Sequence, residues 1–147
     1  MADNDFNITV KRPVEEVFNL ISDIPNYSKW VTANSDYFIE SKVSPEGPVG
    51  LGSTYEDKLR FGKSIGKIVE FQPSKKFVIE QQWYPETFLY TMRVEYHFEP
   101  VNGSTRITNK FEMTPIQGFE VLEPMVMEIA RSERTRTCEA AKKLLEK

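Results

Sequence analysis

Tyr55 and Asp57 stand two residues apart, and Leu59 and Phe61 continue the same alternation. Successive side chains of an extended chain leave on opposite faces, so this spacing puts a phenol and a carboxyl group on one face with two apolar residues. Asn109 shares a face with Ile107 and Phe111 in the same way, and Tyr96 with Val94 and Phe98. If the apolar neighbours point into a core, these four polar groups do too. Each one left unpaired there costs about 1–3 kcal/mol, so it asks for an internal partner, a water or a ligand. A phenol and a carboxyl facing a bound molecule are also suited to moving protons. Internal hydrogen bonds and exposure at a sheet edge are the plainer account of each residue taken singly.

Other chemistries find little support. His97, the single histidine, alternates with Arg93, Glu95 and Glu99 on the polar side of a strand whose other side is Met92, Val94, Tyr96 and Phe98. It is therefore expected on the surface, where it forms no Ser-His-acid relay. Cys138 is the single cysteine, so neither an internal disulfide nor a cysteine metal cluster can form, and the carboxylates lack binding-loop spacing. No metal and no cofactor are called for. Gly47, Gly50 and Gly52 reverse the dinucleotide order and precede a strand, which suits a pliable loop at a cavity lip. Gly62-Lys63-Ser64 resembles the end of a phosphate loop, but Asp57 stands where its first glycine belongs. Arg131, Arg134 and Arg136 read as a solvated helix face.

The elements that would position the polar set follow from periodicity. Phe6, Ile8 and Val10 alternate with Asn7, Thr9 and Lys11, a strand over 5–12. Pro13 opens a helix in which Val14, Val17, Phe18 and Ile21 recur at helical spacing, ending near Ser22. Asp23 and Pro25 begin a second helical turn that runs up to Trp30. Strands follow over 36–43, 53–61, 64–71, 75–83, 88–99 and 104–113, with turns at Phe61-Gly62-Lys63-Ser64 and at Val101-Asn102-Gly103-Ser104. The inward face of 75–83 stays open, because Phe77, Val78 and Ile79 are all apolar. Trp83 and Tyr84, beside Pro85, line a rim or close the bottom of the core. A long helix over 124–145 carries the stripe Val126, Ile129, Ala130, Glu133, Thr137, Ala140, Ala141 and Leu144, apolar at its ends and more polar between.

A one-sided meander and a single helix stripe cover each other if the sheet curls around the helix, while the two short helices plug one end. The 147 residues suffice for one domain with one core, so 1–147 reads as a single unit. A net charge of −3 with interspersed signs excludes a strong polyanion-seeking field and makes nucleic acid a poor partner. No window approaches a spanning helix and MADNDF lacks a signal peptide's regions, so no membrane insertion and a cytoplasmic location are expected.

This order of elements resembles the helix-grip fold of the START-like (SRPBCC, Bet v 1-like) superfamily, with its polyketide cyclase/dehydrase and lipid-transport group. The resemblance rests on Arg12-Pro13-Val14-Glu15-Glu16-Val17-Phe18 with Asp23-Ile24-Pro25-Asn26-Tyr27-Ser28-Lys29-Trp30. It continues through Gly50-Leu51-Gly52-Ser53, Ile68-Val69-Glu70-Phe71-Gln72-Pro73 and Gly103-Ser104-Thr105-Arg106-Ile107-Thr108. It implies an α+β fold: a curved seven-stranded antiparallel sheet around a long C-terminal helix, with a deep cavity between them.

The function this implies is binding of a small hydrophobic or amphipathic molecule, a lipid, a polyketide or similar. Candidates to line the cavity are Trp30, Tyr55, Asp57, Tyr96, Asn109, Val126, Ile129, Glu133 and Thr137, with Trp30 weighed against a plain core role. A cyclase or dehydratase using cavity Tyr, Asp or Glu for proton transfer is the competing expectation. A chaperone-activator-like interaction module is the third, and its signature, an exposed apolar patch, is not found in the sequence. A homodimer is left open.

Overall fold

The computed structural model describes residues 4–31, 35, 37–60, 62–84, 91–114, 118 and 120–147, with side chains for all of these but 83 and 84. Seven strands form one antiparallel sheet: β1 (Phe6–Val10), β2 (Phe38–Ser44), β3 (Thr54–Leu59), β4 (Gly62–Gln72), β5 (Lys76–Tyr84), β6 (Thr91–Val101) and β7 (Ser104–Met113). Its order is β1-β7-β6-β5-β4-β3-β2, a meander closed at one edge by the first strand. Helix α1 (Val14–Ser22) and a 3₁₀ helix (Ile24–Lys29) follow β1, and a 3₁₀ turn (Glu120–Leu122) leads into the long helix α2 (Glu123–Leu145). The expected α+β helix-grip architecture is the one observed. No helix among the described residues is long and apolar enough to cross a membrane.

Local chemistry explains the joints. Asn102 and Gly103 both have positive φ, 51° and 82°, as a type I′ turn demands, and they join Val101 to its partner Ser104. The β3–β4 turn lies earlier than the sequence suggests: Leu59 pairs with Gly62, so Lys63 and Ser64 already belong to β4. Phe61, and residues 88–90 of the expected 88–99 strand, lie outside the described residues. The 3₁₀ helix carries Pro25 in its first turn, where the missing amide would have no partner anyway.

Register settles the face of β5. Phe77 pairs with Tyr96 and Ile79 with Val94, placing Phe77, Ile79 and Gln81 inward. Val78 faces outward between Glu70 and Glu95 and is still fully buried. Charged side chains explain this: Arg93 bonds Glu70, Glu80 and Glu95 at 3.0–3.1 Å across the convex face. His97 is on that same face, 2.8 Å from Glu95. At the closed end Phe18 of α1 meets Phe71, Phe77 and Phe98 edge-on, with centroids 5.2–6.5 Å apart, so the short helices do plug the sheet.

Two expectations for α2 are corrected. Leu144 is 41% exposed, and its neighbour Leu145 is the residue of that turn that packs against the core. Arg134 is not on a solvated face. It is 7% exposed, four residues from Ala130 and three from Thr137, and so falls on the inward stripe.

Candidate functional site

Between the concave sheet face and α2 lies a cavity of about 440 Å³, within the usual range for small-molecule sites. The wall is mostly apolar: Ile79, Val94 and Phe111 from the sheet, Val126, Ile129 and Ala130 from α2. Ile24, Tyr27 and Val31 close it from the helical corner. Met125 both lines the cavity and is 54% exposed, so the cavity reaches the surface at the start of α2. Val121, at 85%, lies one turn before it; this exposed apolar pair was not found by sequence reading.

One polar group of the wall is built on β3, β4 and β5, where Tyr55, Asp57, Ser64 and Gln81 line the cavity. Tyr55 passes over Gly66, its register partner, and donates a 2.7 Å hydrogen bond to Oε1 of Gln81 one strand further on. A Cβ on Gly66 would sit 2.2 Å from the Tyr55 ring, so glycine is what permits this crossing. Two residues along, Asp57 Oδ1 accepts a short hydrogen bond from the Ser41 hydroxyl on β2. Burial pushes the Asp57 carboxyl up to about 7, with the Ser41 bond opposing it. Asp57 keeps partial exposure because the surface it still shows belongs to the cavity. Its register partner Ser64 is 2% exposed, and the Ser64 hydroxyl has no partner among the described residues. Burial also raises the phenols of Tyr27, Tyr55 and Tyr96, so all three stay protonated hydrogen-bonding groups.

From α2, Glu133 and Thr137 face the cavity. Glu133 accepts a short hydrogen bond from Ser35, and Thr137 returns its hydroxyl to the Glu133 carbonyl at 3.0 Å. No group of His, Cys, Asp and Glu able to hold a metal occurs among the described residues.

This arrangement, an apolar cavity gripped between a curved meander and one long helix, has counterparts among known proteins. Residues 1–146 match the family described as polyketide cyclase / dehydrase and lipid transport. The chain belongs to that family. No curated protein matches it. Among solved structures it is similar to a protein of Chromobacterium violaceum, at 15% identity over 99% of both chains with a TM-score of 0.72. It is also similar to Ara h 8.0201, at 14% identity over 95% of this chain and 94% of that one, TM-score 0.74. A Thalictrum norcoclaurine synthase variant, in complex with a transition state analogue, gives 16% identity over 95% and 91%, TM-score 0.69. At such identities these likenesses establish the START-like helix-grip fold.

Seven of the nine candidate residues line this family member's cavity: Tyr55, Asp57, Tyr96, Val126, Ile129, Glu133 and Thr137. Trp30 and Asn109 do not. Trp30 is 8% exposed and packs edge-on against Tyr27 at 5.3 Å, so Tyr27 is the cavity wall and Trp30 its backing. Asn109 is fully buried and accepts a short hydrogen bond from Arg134. That guanidinium also donates to the Asn4 carbonyl at 2.9 Å and stacks 4.5 Å over Phe111, tying the N-terminal segment to α2. The Gly47–Gly52 loop contributes nothing to the cavity wall and is no lip. The Trp83 and Tyr84 side chains lie outside the described residues.

Sequence reading missed Tyr27, Gln81, Ser64 and Arg134. A mid-strand glycine opposite an inward Tyr signals a close crossing, which points to Gln81 once register is known. Helical arithmetic alone places Arg134 inward. Cys138 is fully buried with its thiol pushed up to about 12, so it is an inert core residue.

Proposed function

We propose that this protein encloses a small hydrophobic or amphipathic molecule, of lipid or polyketide kind, in the cavity between sheet and C-terminal helix. The observation that carries the reading is the cavity itself, about 440 Å³ with a largely apolar wall and a minority of polar groups contributed by both the sheet and α2. Affinity comes from apolar area removed from water, at about 25 cal/mol per Å², and orientation from the polar minority. A cytoplasmic setting belongs to the same proposal. The test is thermal denaturation against a panel of lipids and aromatic polyketides: a rise in midpoint supports binding, and no shift across a broad panel overturns it.

Asp57 supports a second reading, cyclase or dehydratase chemistry. A cavity carboxyl near 7 beside a phenol is partly protonated and partly ionised at neutral pH, able to give or take a proton from an enolisable substrate. Turnover of a poly-β-ketone, lost in Asp57→Asn and reduced in Tyr55→Phe and Tyr96→Phe, is the expected result. Turnover that survives all three substitutions removes these residues from the mechanism.

A further inference from the structure

Two side chains of the cavity wall restrict what a ligand must carry, on the ligand-binding reading above. Asp57 Oδ1 is occupied by Ser41. Its other oxygen, Oδ2, has no hydrogen-bond partner among the described residues, and it is not among the polar atoms sealed from water. Gln81 shows the same asymmetry: Oε1 is taken by Tyr55, while Nε2 makes no hydrogen bond among the described residues and is likewise not sealed. One open acceptor and one open donor thus face the cavity from neighbouring rows of the sheet, because Tyr55, which holds Gln81, is two residues from Asp57 on the same face.

Each holder fixes its group without using it up. Ser41 orients the carboxyl, and Tyr55 turns the carboxamide so that its nitrogen is the free end. Asp57 has no ion pair among the described residues. We propose that Asp57 and Gln81 form a subsite for a hydroxyl group, phenol or alcohol, on an otherwise apolar ligand. The hydroxyl hydrogen goes to Asp57 Oδ2 and its oxygen faces the Gln81 N–H. An ether satisfies only half of this arrangement. An ammonium ion pairs with the Asp57 acceptor but has no lone pair to offer the Gln81 N–H, so it too satisfies only half.

The wall next to this pair is apolar, while Tyr96 and, on α2, Glu133, Arg134 and Thr137 carry polar groups farther off. Past Gln81 the next inward residues of the sheet are Ile79, Val94 and Phe111, which ask only for apolar surface. The hydroxyl therefore sets which end of the molecule lies toward β3.

The probes are 2-naphthol, 2-methoxynaphthalene and 2-(aminomethyl)naphthalene, titrated at pH 8 into the wild-type protein and into Asp57→Asn, Asp57→Ala and Gln81→Met. The expected result is at least tenfold tighter binding of the naphthol than of the ether, falling below threefold in Asp57→Ala and reduced in Gln81→Met. Equal binding of naphthol and ether overturns the subsite but leaves the cavity reading standing. So does tighter binding of the amine, or a naphthol preference that persists in Asp57→Ala. If none of the three binds, the cavity reading falls for small aromatics and the subsite with it. The wild-type comparison needs no variant to fold, and Asp57→Asn supplies an isosteric one.

Discussion

A carboxyl group set into an apolar wall changes the pH dependence of stability in a direction fixed by its own titration. Asp57 moves from an ordinary 3.8 to about 7 on folding, with burial as the larger cause and the Ser41 hydrogen bond opposing it. Between those two pH values the folded chain holds a proton that the unfolded chain has released. Stability therefore falls as pH rises from about 4 to about 7, and the penalty is complete above that range. Asp57→Asn keeps an oxygen for Ser41 and carries no charge. It should raise unfolding free energy by about 2 kcal/mol at pH 8, less than the full shift because the carboxylate meets water in the cavity, and by almost nothing at pH 4. Urea denaturation of both proteins at the two pH values checks this; the same difference at both would mean that the charge is not the cause. Such a residue, retained at the expense of stability, fits a site better than a core.

At the scale of elements, strands are positioned by their neighbours as much as by their own residues. Gly66 is the clearest case, since a methyl there would overlap the Tyr55 ring that crosses it to Gln81. Gly66→Ala should cost about 1–3 kcal/mol, as overpacking does, and should loosen ligand binding by driving the ring toward the cavity. In a Tyr55→Leu background the same substitution should cost at least about 1 kcal/mol less; equal costs would show that the two residues are not coupled. The sequence discloses one half of this relation. Period-two alternation announces β3, β6 and β7 and their inner faces, and Asn102-Gly103 announces a turn with two positive φ values. The face of β5 is hidden because Val78 is apolar on the outer side, where salt-bridged side chains cover it. Arg134 is misread for the opposite reason: its charge argues for solvent, while its position in the helix repeat, with two asparagines as partners, puts it inside.

For the molecule as a whole, the decisive property is that fold stability and cavity volume are separable. The short helices, with Phe18 among Phe71, Phe77 and Phe98, hold the closed end of the grip, and Arg134 with Asn4 and Asn109 fastens the N-terminal segment to α2. None of this packing needs the cavity to be empty. Ala130, on the inner stripe of α2, faces that space with only a methyl group. Ala130→Phe should place its ring in the cavity, leave the midpoint of thermal unfolding unchanged or higher, and abolish ligand-induced stabilisation. In the wild-type protein a ligand at one hundred times its Kd adds about 2.7 kcal/mol by mass action. For a chain of this size that is a rise of roughly 5–10 °C. Calorimetry of the same binding should give a negative heat-capacity change, the mark of apolar surface leaving water. Val17→Ala, a cavity-remote core change in α1, supplies the contrast: it should lower the midpoint while keeping the ligand-induced rise. If Ala130→Phe retains the full rise, the ligand does not occupy the space between sheet and helix, and binding must be sought on the outer surface.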